Sequence, residues 1–301
     1  MGYNDDRGLI ERGIRVGDEK MYQADKIWSR YSNDKVDIGE RLTSVIRSLN
    51  KALPLRKKMR ALSIGSSAEP QFRILETAFR GGLYLLDLEK EALAVVRERI
   101  LRQGTRHVAT LHGDYNSILL DPVRTNDFVK RKLGGEKADL VTLHHSLYYS
   151  NGCSWKSIVE NLFRKVLSPK GAMHIVLMSA NDKDQRSTSW LYNHFVGKFF
   201  GCRNDQDLLK FKKELLKDPV FRKAEIVSKT TEVDFYVDDF EKFMAVVWMI
   251  LLYPNVHVYS SAQKKEITEF VYREFWSKKK PLKQKQDHLA IYRGLRFRGI
   301  I

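Results

Sequence analysis

The sequence predicts an α/β protein built on a doubly wound, mostly parallel sheet of seven strands. Five apolar runs of strand length alternate with helical patterns between residues 60 and 178, as in parallel α/β proteins. The first run ends in a turn of small residues that starts at Gly65, and the second run ends in a carboxylate, Asp87. Two further strand patterns occur in the second half of the chain and complete the sheet.

Helical patterns precede the first strand. Residues 1–30 place Met21, Ile27 and Trp28 at near-helical spacing, with tyrosines beside them. Residues 37–53 repeat apolar positions every three or four residues, and Pro54 ends this amphipathic helix. We expect residues 1–54 to form a helical N-terminal lid over the site, with Tyr22, Trp28 and Tyr31 on it.

The central segment, residues 55–180, is the expected ligand-binding core. Its strands are predicted at 60–64, 83–87, 107–111, 138–144 and 172–178, and its helices at about 70–80, 89–102 and 155–167. Right-handed crossovers bring the carboxyl ends of parallel strands to one edge of the sheet. Residues that follow these strands are therefore the candidates for a binding site.

Residues 181–301 are expected to contribute a substrate-side helical cap and the last two strands. Strand patterns cover 224–237 and 286–295, and helical patterns cover 205–217, 238–252 and 262–276. The last two of these helices form an insertion before the final strand.

The composition limits the classes of function. The chain has 301 residues, a hydrophobic content of 43% and two cysteines, Cys153 and Cys202, which are too few for a disulfide framework or a cysteine metal cluster. No signal peptide is expected, and the longest apolar run, 243–253, is too short to span a bilayer. We expect a cytoplasmic protein without a bound metal.

The net charge of +16 bears on the partner. A basic surface attracts nucleic acid, but runs of lysine and arginine are more often solvated helix faces. RNA is therefore an alternative partner, and a small molecule is the favoured one. The sequence does not indicate an oligomeric state.

The turn after the first strand, residues 65–70, is the first candidate site. Gly65 lets the backbone approach a ligand, and Ser66 and Ser67 offer donors at the start of the next helix, where an anionic group is favoured. An acid about 20 residues later, here Asp87, can bind ribose hydroxyls. An ordinary βα turn needs similar residues, but the combination favours a nucleoside site.

The third and fourth strands add further candidates. Asp114 follows the third strand, where a carboxylate can accept from an exocyclic amine of a base, and Tyr115 can cover the ring. The fourth strand runs into His144 and His145, and an imidazole there can act as a general base because its pKa is near neutrality. We expect His144 to be packed in the core and His145 to be the catalytic residue, with Tyr148 orienting it.

These segments resemble the class I S-adenosylmethionine-dependent methyltransferases. The motifs that carry the resemblance are 62–65, Asp87, 113–114, 139–141 and 167–171, which match successive motifs of that family in order. The resemblance implies a Rossmann-like methyltransferase fold and S-adenosylmethionine as cofactor. The sequence departs from the family pattern at two places. Ser67 stands where the family has a second glycine, and Glu69-Pro70 is an uncommon start for the next helix.

The resemblance also implies roles for the site residues. Gly65 and the following turn approach the methionine part of the cofactor, Asp87 binds the ribose and Asp114 lies near the adenine. The full set predicted to bind the cofactor is Gly65, Ser66, Ser67, Glu69, Asp87, Leu88, Asp114, Tyr115, His144 and Tyr31.

A weaker likeness is to the histamine N-methyltransferases. It rests on residues 63–65 with Ala68 and Glu69, on the Leu-Tyr-Tyr segment 147–149, and on helices inserted before the last strand. Aromatic residues such as Trp190 and Tyr192 could then line a pocket for an amine, although such residues are more often core.

Three functions are compatible with this sequence. The favoured one is transfer of a methyl group, by in-line displacement, to a nitrogen or oxygen of a small molecule. The second is methylation of RNA or another macromolecule through the basic surface. The third is a non-catalytic cofactor-binding or scaffold protein with the same fold.

Overall fold

The computed structural model describes residues 3–18, 21–65, 67–252 and 255–296. The strands are β1 Arg60–Ile64, β2 Gly82–Asp87, β3 Val108–His112, β4 Ala138–His144, β5 Leu167–Met178, β6 Ala224–Phe235 and β7 Leu282–Arg293. The helices in these ranges are α1 Tyr3–Arg15, α2 Met21–Tyr31, α3 Asp34–Ala52, α4 Phe72–Ala78, α5 Lys90–Gln103, α6 Tyr115–Leu119, α7 Pro122–Lys132, α8 Gly152–Asn161, α9 Thr188–Phe200, α10 Leu208–Lys217, α11 Phe240–Ile250 and α12 Ser261–Val271.

The seven strands form one sheet in the order β3-β2-β1-β4-β5-β7-β6. The sheet is mostly parallel with one antiparallel hairpin at its end, which confirms the predicted doubly wound fold. β1 pairs with β2 on one side and with β4 on the other, so the winding of the chain reverses between β1 and β4. Ligands of open α/β sheets bind at the carboxyl ends of the strands beside such a reversal.

The central strands are apolar on both faces because helices cover both. Every residue of β1 and of β4 is buried. Apolar residues occur on both faces of each strand rather than in alternation, as expected for parallel strands in the interior, and polar side chains such as Ser63 and Asp139 are buried among them. Because both faces are covered, the positions at the ends of the strands are the candidates for ligand contact.

The chain divides into two compact units, each formed from several segments. One comprises residues 36–177, 206–231 and 287–301, and the other comprises residues 1–35, 178–205 and 232–286. Helix α3 belongs to the first unit because Leu42, Val45 and Leu49 share a buried cluster with Met59 and Ala61. The sequence predicts a lid that ends at residue 54, whereas the boundary between the two units lies after residue 35.

The second unit has an aromatic core. Trp28 of α2 is buried and stacks on Phe235 with ring centroids 5.5 Å apart, so this ring serves the core of its own unit. Trp248 of α11 donates its indole N–H to the carbonyl of Gly13 at 2.8 Å. A Cβ on Gly13 would lie 2.8 Å from the ring of Phe240, which explains the glycine in mid-helix.

Some elements differ from their predictions. β5 starts at Leu167 instead of 172, because 168–171 continues the strand through a register shift opposite Ala138 and Leu140. Helices α6, α7 and α9 were not predicted. α6 has only five residues, α7 has only three large apolar side chains, Val123, Phe128 and Val129, and the apolar residues of α9 surround the helix.

None of the described helices is long and apolar enough to cross a membrane. Likewise, no cluster of three or more His, Cys, Asp or Glu side chains in the described ranges is arranged to hold a metal ion.

A buried carboxylate joins three strands at the amino end of the sheet. Asp139 of β4 is 1% exposed and forms an ion pair with Lys57. Its oxygens also accept from the backbone N–H of Arg60 at 3.0 Å and from the hydroxyl of Ser168 at 2.9 Å. One side chain thereby fixes β1 and β5 against β4.

We expect Asp139→Ala to lower the free energy of unfolding by about 2–4 kcal/mol, because buried donors lose a charged acceptor. Urea unfolding followed by circular dichroism measures this loss. The control is Asp121→Ala, which removes an exposed helix cap and should cost about 1 kcal/mol. A loss for Asp139→Ala no larger than for the control would contradict this role.

Candidate functional site

The turn after β1 brings the backbone into close contact with the end of β4. Gly65 has φ +64°, and its N–H donates to the carbonyl of Leu86 at 2.8 Å. A Cβ at this position would lie only 2.6 Å from the Cβ of Ser146, a distance that real side chains do not adopt. Both the backbone conformation and the space therefore require glycine.

Ser67 connects this turn to the end of β2. Its N–H donates to Oδ2 of Asp87 at 2.9 Å, and its φ is +52°. Its hydroxyl is buried and has no hydrogen-bond partner among the described residues. Ser66, also predicted to bind the cofactor, lies outside the described residues.

Asp87 is 8% exposed at the carboxyl end of β2. Oδ2 accepts from Ser67 as described, and Oδ1 accepts from the backbone N–H of Glu89 at 2.8 Å. Burial raises the pKa of Asp87, although these backbone hydrogen bonds oppose the effect. The N–H of Leu88 also acts on this carboxylate, which has about four acceptor positions and therefore keeps capacity for a further donor.

Leu88 follows Asp87 and is 60% exposed, an unusual position for a leucine beside a buried acid. Its carbonyl is 3.1 Å from Nε2 of His112, which joins the ends of β2 and β3. The exposed side chain offers an apolar surface on which a planar ring could pack.

Glu69 has a different environment from the other predicted residues. It is 1% exposed, and its carboxylate accepts from the hydroxyl of Ser63 and, at 3.0 Å, from the N–H of Gln71. Its φ is +52°. These contacts hold the turn between β1 and α4 from inside, so a structural function is evident, whereas cofactor binding by Glu69 stays a prediction.

Asp114 and Tyr115 lie where the sequence predicted, after β3. The carboxylate of Asp114 caps α6 by accepting from the N–H groups of Asn116, at 2.9 Å, and Ser117, at 3.3 Å. Tyr115 is buried and donates its hydroxyl to the carbonyl of Ser146 at 2.6 Å. Burial raises the pKa of Tyr115 to about 12, so this hydroxyl remains a donor at neutral pH.

His145 and Tyr148 are paired, as the sequence predicted. Nδ1 of His145 is 3.1 Å from the Tyr148 hydroxyl, and the rings are nearly parallel with centroids 6.0 Å apart. His145 has φ +53°, which is costly for a residue with a side chain. The contact is observed, and the catalytic role remains a prediction.

His144 points into the sheet interior. It is 6% exposed, and its Nε2 is 3.0 Å from Nδ1 of His174 on β5. The ring is therefore hydrogen-bonded in the core, as expected for this residue. Its predicted contact with a cofactor is not tested.

Backbone strain is concentrated at this edge. Of the five non-glycine residues with positive φ in the described part of the chain, three follow β1 or β4: Ser67, Glu69 and His145. Such conformations cost about 1–3 kcal/mol each and cluster at functional sites. This clustering is independent support for a site here.

Tyr31 belongs to the other unit, at the end of α2, where Arg30 lies 5.4 Å from its ring centre. The side chain of Tyr22 lies outside the described residues. The predicted lid and the binding of a cofactor by Tyr31 therefore stay predictions.

Ser146 and Asn116 also lie at this edge, although neither was predicted from the sequence. The Ser146 hydroxyl is buried without a partner among the described residues, and the Ser146 carbonyl holds Tyr115. The side-chain oxygen of Asn116 accepts from Ser150 at 2.6 Å. Their positions directly after His145 and Tyr115 are a signal, but only the folded structure links them, through the hydrogen bonds of Tyr115 and Ser150.

A cavity of about 650 Å³ lies within the second unit. Trp190 lines it, as the predicted aromatic pocket requires, and stacks on His194 with ring centroids 4.4 Å apart. Tyr192 instead pairs with His257 at 3.1 Å. The remaining lining residues are mostly polar: Asn181, Asp182, Asn193, Gly197, Lys198, Gly201 and Arg203.

No protein-family model and no curated protein sequence matches this chain. Its structure is similar to the YcgJ protein of Bacillus subtilis, with a TM-score of 0.51 and 14% identity over 84% of this chain and 99% of that one. A candidate methyltransferase of Bacillus halodurans gives a TM-score of 0.50 and 15% identity over 82% and 98% of the two chains. The fold is the Rossmann-like fold of class I S-adenosylmethionine-dependent methyltransferases.

We expect Gly65→Ala to lower the free energy of unfolding by about 2–4 kcal/mol, since it adds left-handed strain and a steric clash. Chemical unfolding measures this change. Gly104→Ala is the matched control, because Gly104 has φ +60° but open space around the added Cβ. Gly104→Ala should lower the free energy of unfolding only by the cost of the left-handed backbone.

The clash has its own test. Adding Ser146→Gly to Gly65→Ala should recover about 1 kcal/mol or more, whereas adding it to Gly104→Ala should recover nothing. Equal effects in the two backgrounds would show that Ser146 does not limit the space at Gly65.

Proposed function

We propose that this protein is an S-adenosylmethionine-dependent methyltransferase that acts on a nitrogen or oxygen of a small molecule. One observation carries the proposal. The hydrogen bond from Ser67 to Asp87 joins the turn after β1 to the end of β2. It lies beside the point at which the winding of the chain reverses in a sheet of strand order 3-2-1-4-5-7-6. This is the place where such sheets bind nucleosides.

The residues present suit that cofactor. Asp87 retains capacity to accept from a ribose hydroxyl, and Leu88 offers an apolar surface for adenine. The buried hydroxyls of Ser67 and Ser146 have no partner among the described residues, and such groups are costly unless something binds them. Asp114, at the end of β3, is the candidate for the exocyclic amine of adenine.

S-adenosylmethionine supplies an activated methyl group when it is bound. The chain then has to orient the acceptor, exclude water and remove a proton. His145 is the candidate base: when Nδ1–H donates to Tyr148, Nε2 becomes the basic atom. A correctly positioned acceptor already lowers the barrier by about 7–11 kcal/mol, so the base makes a smaller contribution.

The cavity of the second unit supports a small acceptor. Its volume of about 650 Å³ is within the range of small-molecule sites, about 300–1,000 Å³. Trp190 and His194 supply a stacked aromatic wall, and Asp182 and Arg203 supply charges of both signs. These features suit a polar small molecule as a ligand of this cavity.

Asp87→Asn should weaken binding of S-adenosylhomocysteine about 10- to 100-fold, because an amide replaces an acceptor of charge-assisted hydrogen bonds. Isothermal titration calorimetry measures the affinity. No binding by the unchanged protein would refute the cofactor itself. Binding without turnover of any amine, phenol, carboxylate or RNA would instead favour a non-catalytic protein.

The same binding should depend on pH. Burial raises the pKa of Asp87, and the protonated carboxyl accepts fewer hydrogen bonds. Affinity should therefore fall as the pH is lowered, beginning above the value of about 3.9 typical of aspartate. Asp87→Asn should lose this pH dependence; an unchanged profile would assign the titration to another group.

Asp114→Ala should reduce cofactor affinity by more than its effect on stability explains. Asp114 and Asp121 both cap helices through their carboxylates, so each alanine variant should lose about 1 kcal/mol of stability. Only Asp114→Ala should weaken binding of S-adenosylhomocysteine in calorimetry, by about tenfold. Equal affinities of the two variants would place the adenine elsewhere.

A further inference from the structure

Three histidines form a continuous row through the interior of the sheet-bearing unit. His144 of β4, His174 of β5 and His288 of β7 are 6%, 1% and 4% exposed. Asp37 of α3 closes the row, with its side chain 12% exposed. Strands β4, β5 and β7 are neighbours in the sheet, so the row crosses it strand by strand.

Each step of the row joins the Nε2 of one ring to the next group. Nε2 of His144 is 3.0 Å from Nδ1 of His174, and Nε2 of His174 is 3.4 Å from Nδ1 of His288. Nε2 of His288 is 2.8 Å from Oδ2 of Asp37. Nitrogen atoms therefore face each other at both inner steps, and one of each pair must carry the proton.

The carboxylate sets the direction of these hydrogen bonds. Asp37 only accepts when ionised, so His288 carries its proton on Nε2 and accepts through Nδ1. His174 then has to donate its Nε2 proton to Nδ1 of His288. His144 in turn has to donate its Nε2 proton to Nδ1 of His174. One charged group thus fixes the tautomer of all three rings, with Nδ1 of His144 as the acceptor at the far end.

We propose that this row is a proton path between the carboxyl end of β4 and the His288–Asp37 pair. Its use in catalysis rests on the function proposed above: it would take up the proton after His145 has removed it from the methyl acceptor and released it at the carboxyl end of β4. The row itself stands on the positions of the four side chains.

The transfer balances without another reactant. A proton binds Nδ1 of His144, whose Nε2 proton passes to Nδ1 of His174. The Nε2 proton of His174 passes in turn to Nδ1 of His288. His288 becomes an imidazolium that still donates to Asp37, while His144 and His174 end neutral with their protons on Nδ1.

The surroundings favour this end point. The groups that face the row from neighbouring elements are Arg41 of α3, which acts on His174, and Thr231 of β6. The Thr231 hydroxyl donates to Asp37 at 2.7 Å and lies 3.0 Å from Nε2 of His288, from which it can accept. Burial, the two neighbouring histidines and Arg41 hold the pKa of His174 well below its usual value. The middle ring therefore passes a proton without keeping it, and the positive charge rests beside the carboxylate.

Long-range proton–nitrogen NMR of the ¹⁵N-histidine-labelled protein, without cofactor, distinguishes a path from a purely structural row. At high pH all three rings should carry the proton on Nε2. On acidification, His144 and His174 should change to the Nδ1 tautomer at the pH at which His288 becomes doubly protonated. Separate midpoints, or tautomers that do not change with His288, would overturn the proposal.

Asp37→Asn should abolish the fixed tautomers at high pH, because an amide can donate as well as accept and no longer holds the His288 proton on Nε2. His144 and His174 should lose the Nε2 tautomer together with His288. Asp287→Asn is the matched control: Asp287 is buried beside His288 in sequence but pairs with Thr230. It should leave the three tautomers unchanged, and an equal loss would contradict the path.

The measurements on the unsubstituted protein decide the question even where Asp37→Asn fails to fold. They are also independent of the proposed function, since no cofactor is present. Failure to bind S-adenosylhomocysteine would refute the methyltransferase and leave the path, whereas uncoupled histidines would refute the path alone.

Discussion

The close approach of β1 and β4 at their carboxyl ends is the constraint on which the site depends. Gly65 takes a left-handed conformation with no room for a Cβ beside Ser146. This contact allows the next turn to place Ser67 against Asp87, and it allows Tyr115 to reach the carbonyl of Ser146. A larger residue at position 65 would separate the ends of three neighbouring strands.

Polar groups of two kinds meet around this contact. Asp87 and Ser146 lie at the edge and retain hydrogen-bonding capacity or lack a partner among the described residues, as binding groups do. His144 lies farther inside and has a defined partner, His174. His145, the next residue, has a left-handed backbone and pairs with Tyr148 instead.

Much of the fold could be predicted because apolar periodicity reflects burial directly. β1 and β4 have the predicted limits, and the reversal of winding follows from the order of strands and helices. Helix α9 was not predicted because apolar and aromatic residues surround it. β5 extends through Pro169 because its pairing with β4 shifts in register and accommodates residues 168–171. In the site, local patterns identified Gly65, Asp87 and the pairing of His145 with Tyr148.

The sequence by itself determined the class of sheet and the strand ends at which a ligand can bind, because strand spacing and turn residues are local properties. Tertiary structure alone decided which of these residues serve the edge and which serve the interior. Glu69 supports its turn from within, and His144 begins a row that ends at Asp37, more than 100 residues away along the chain. Such partners come from separate strands and helices, so no local pattern records their contact.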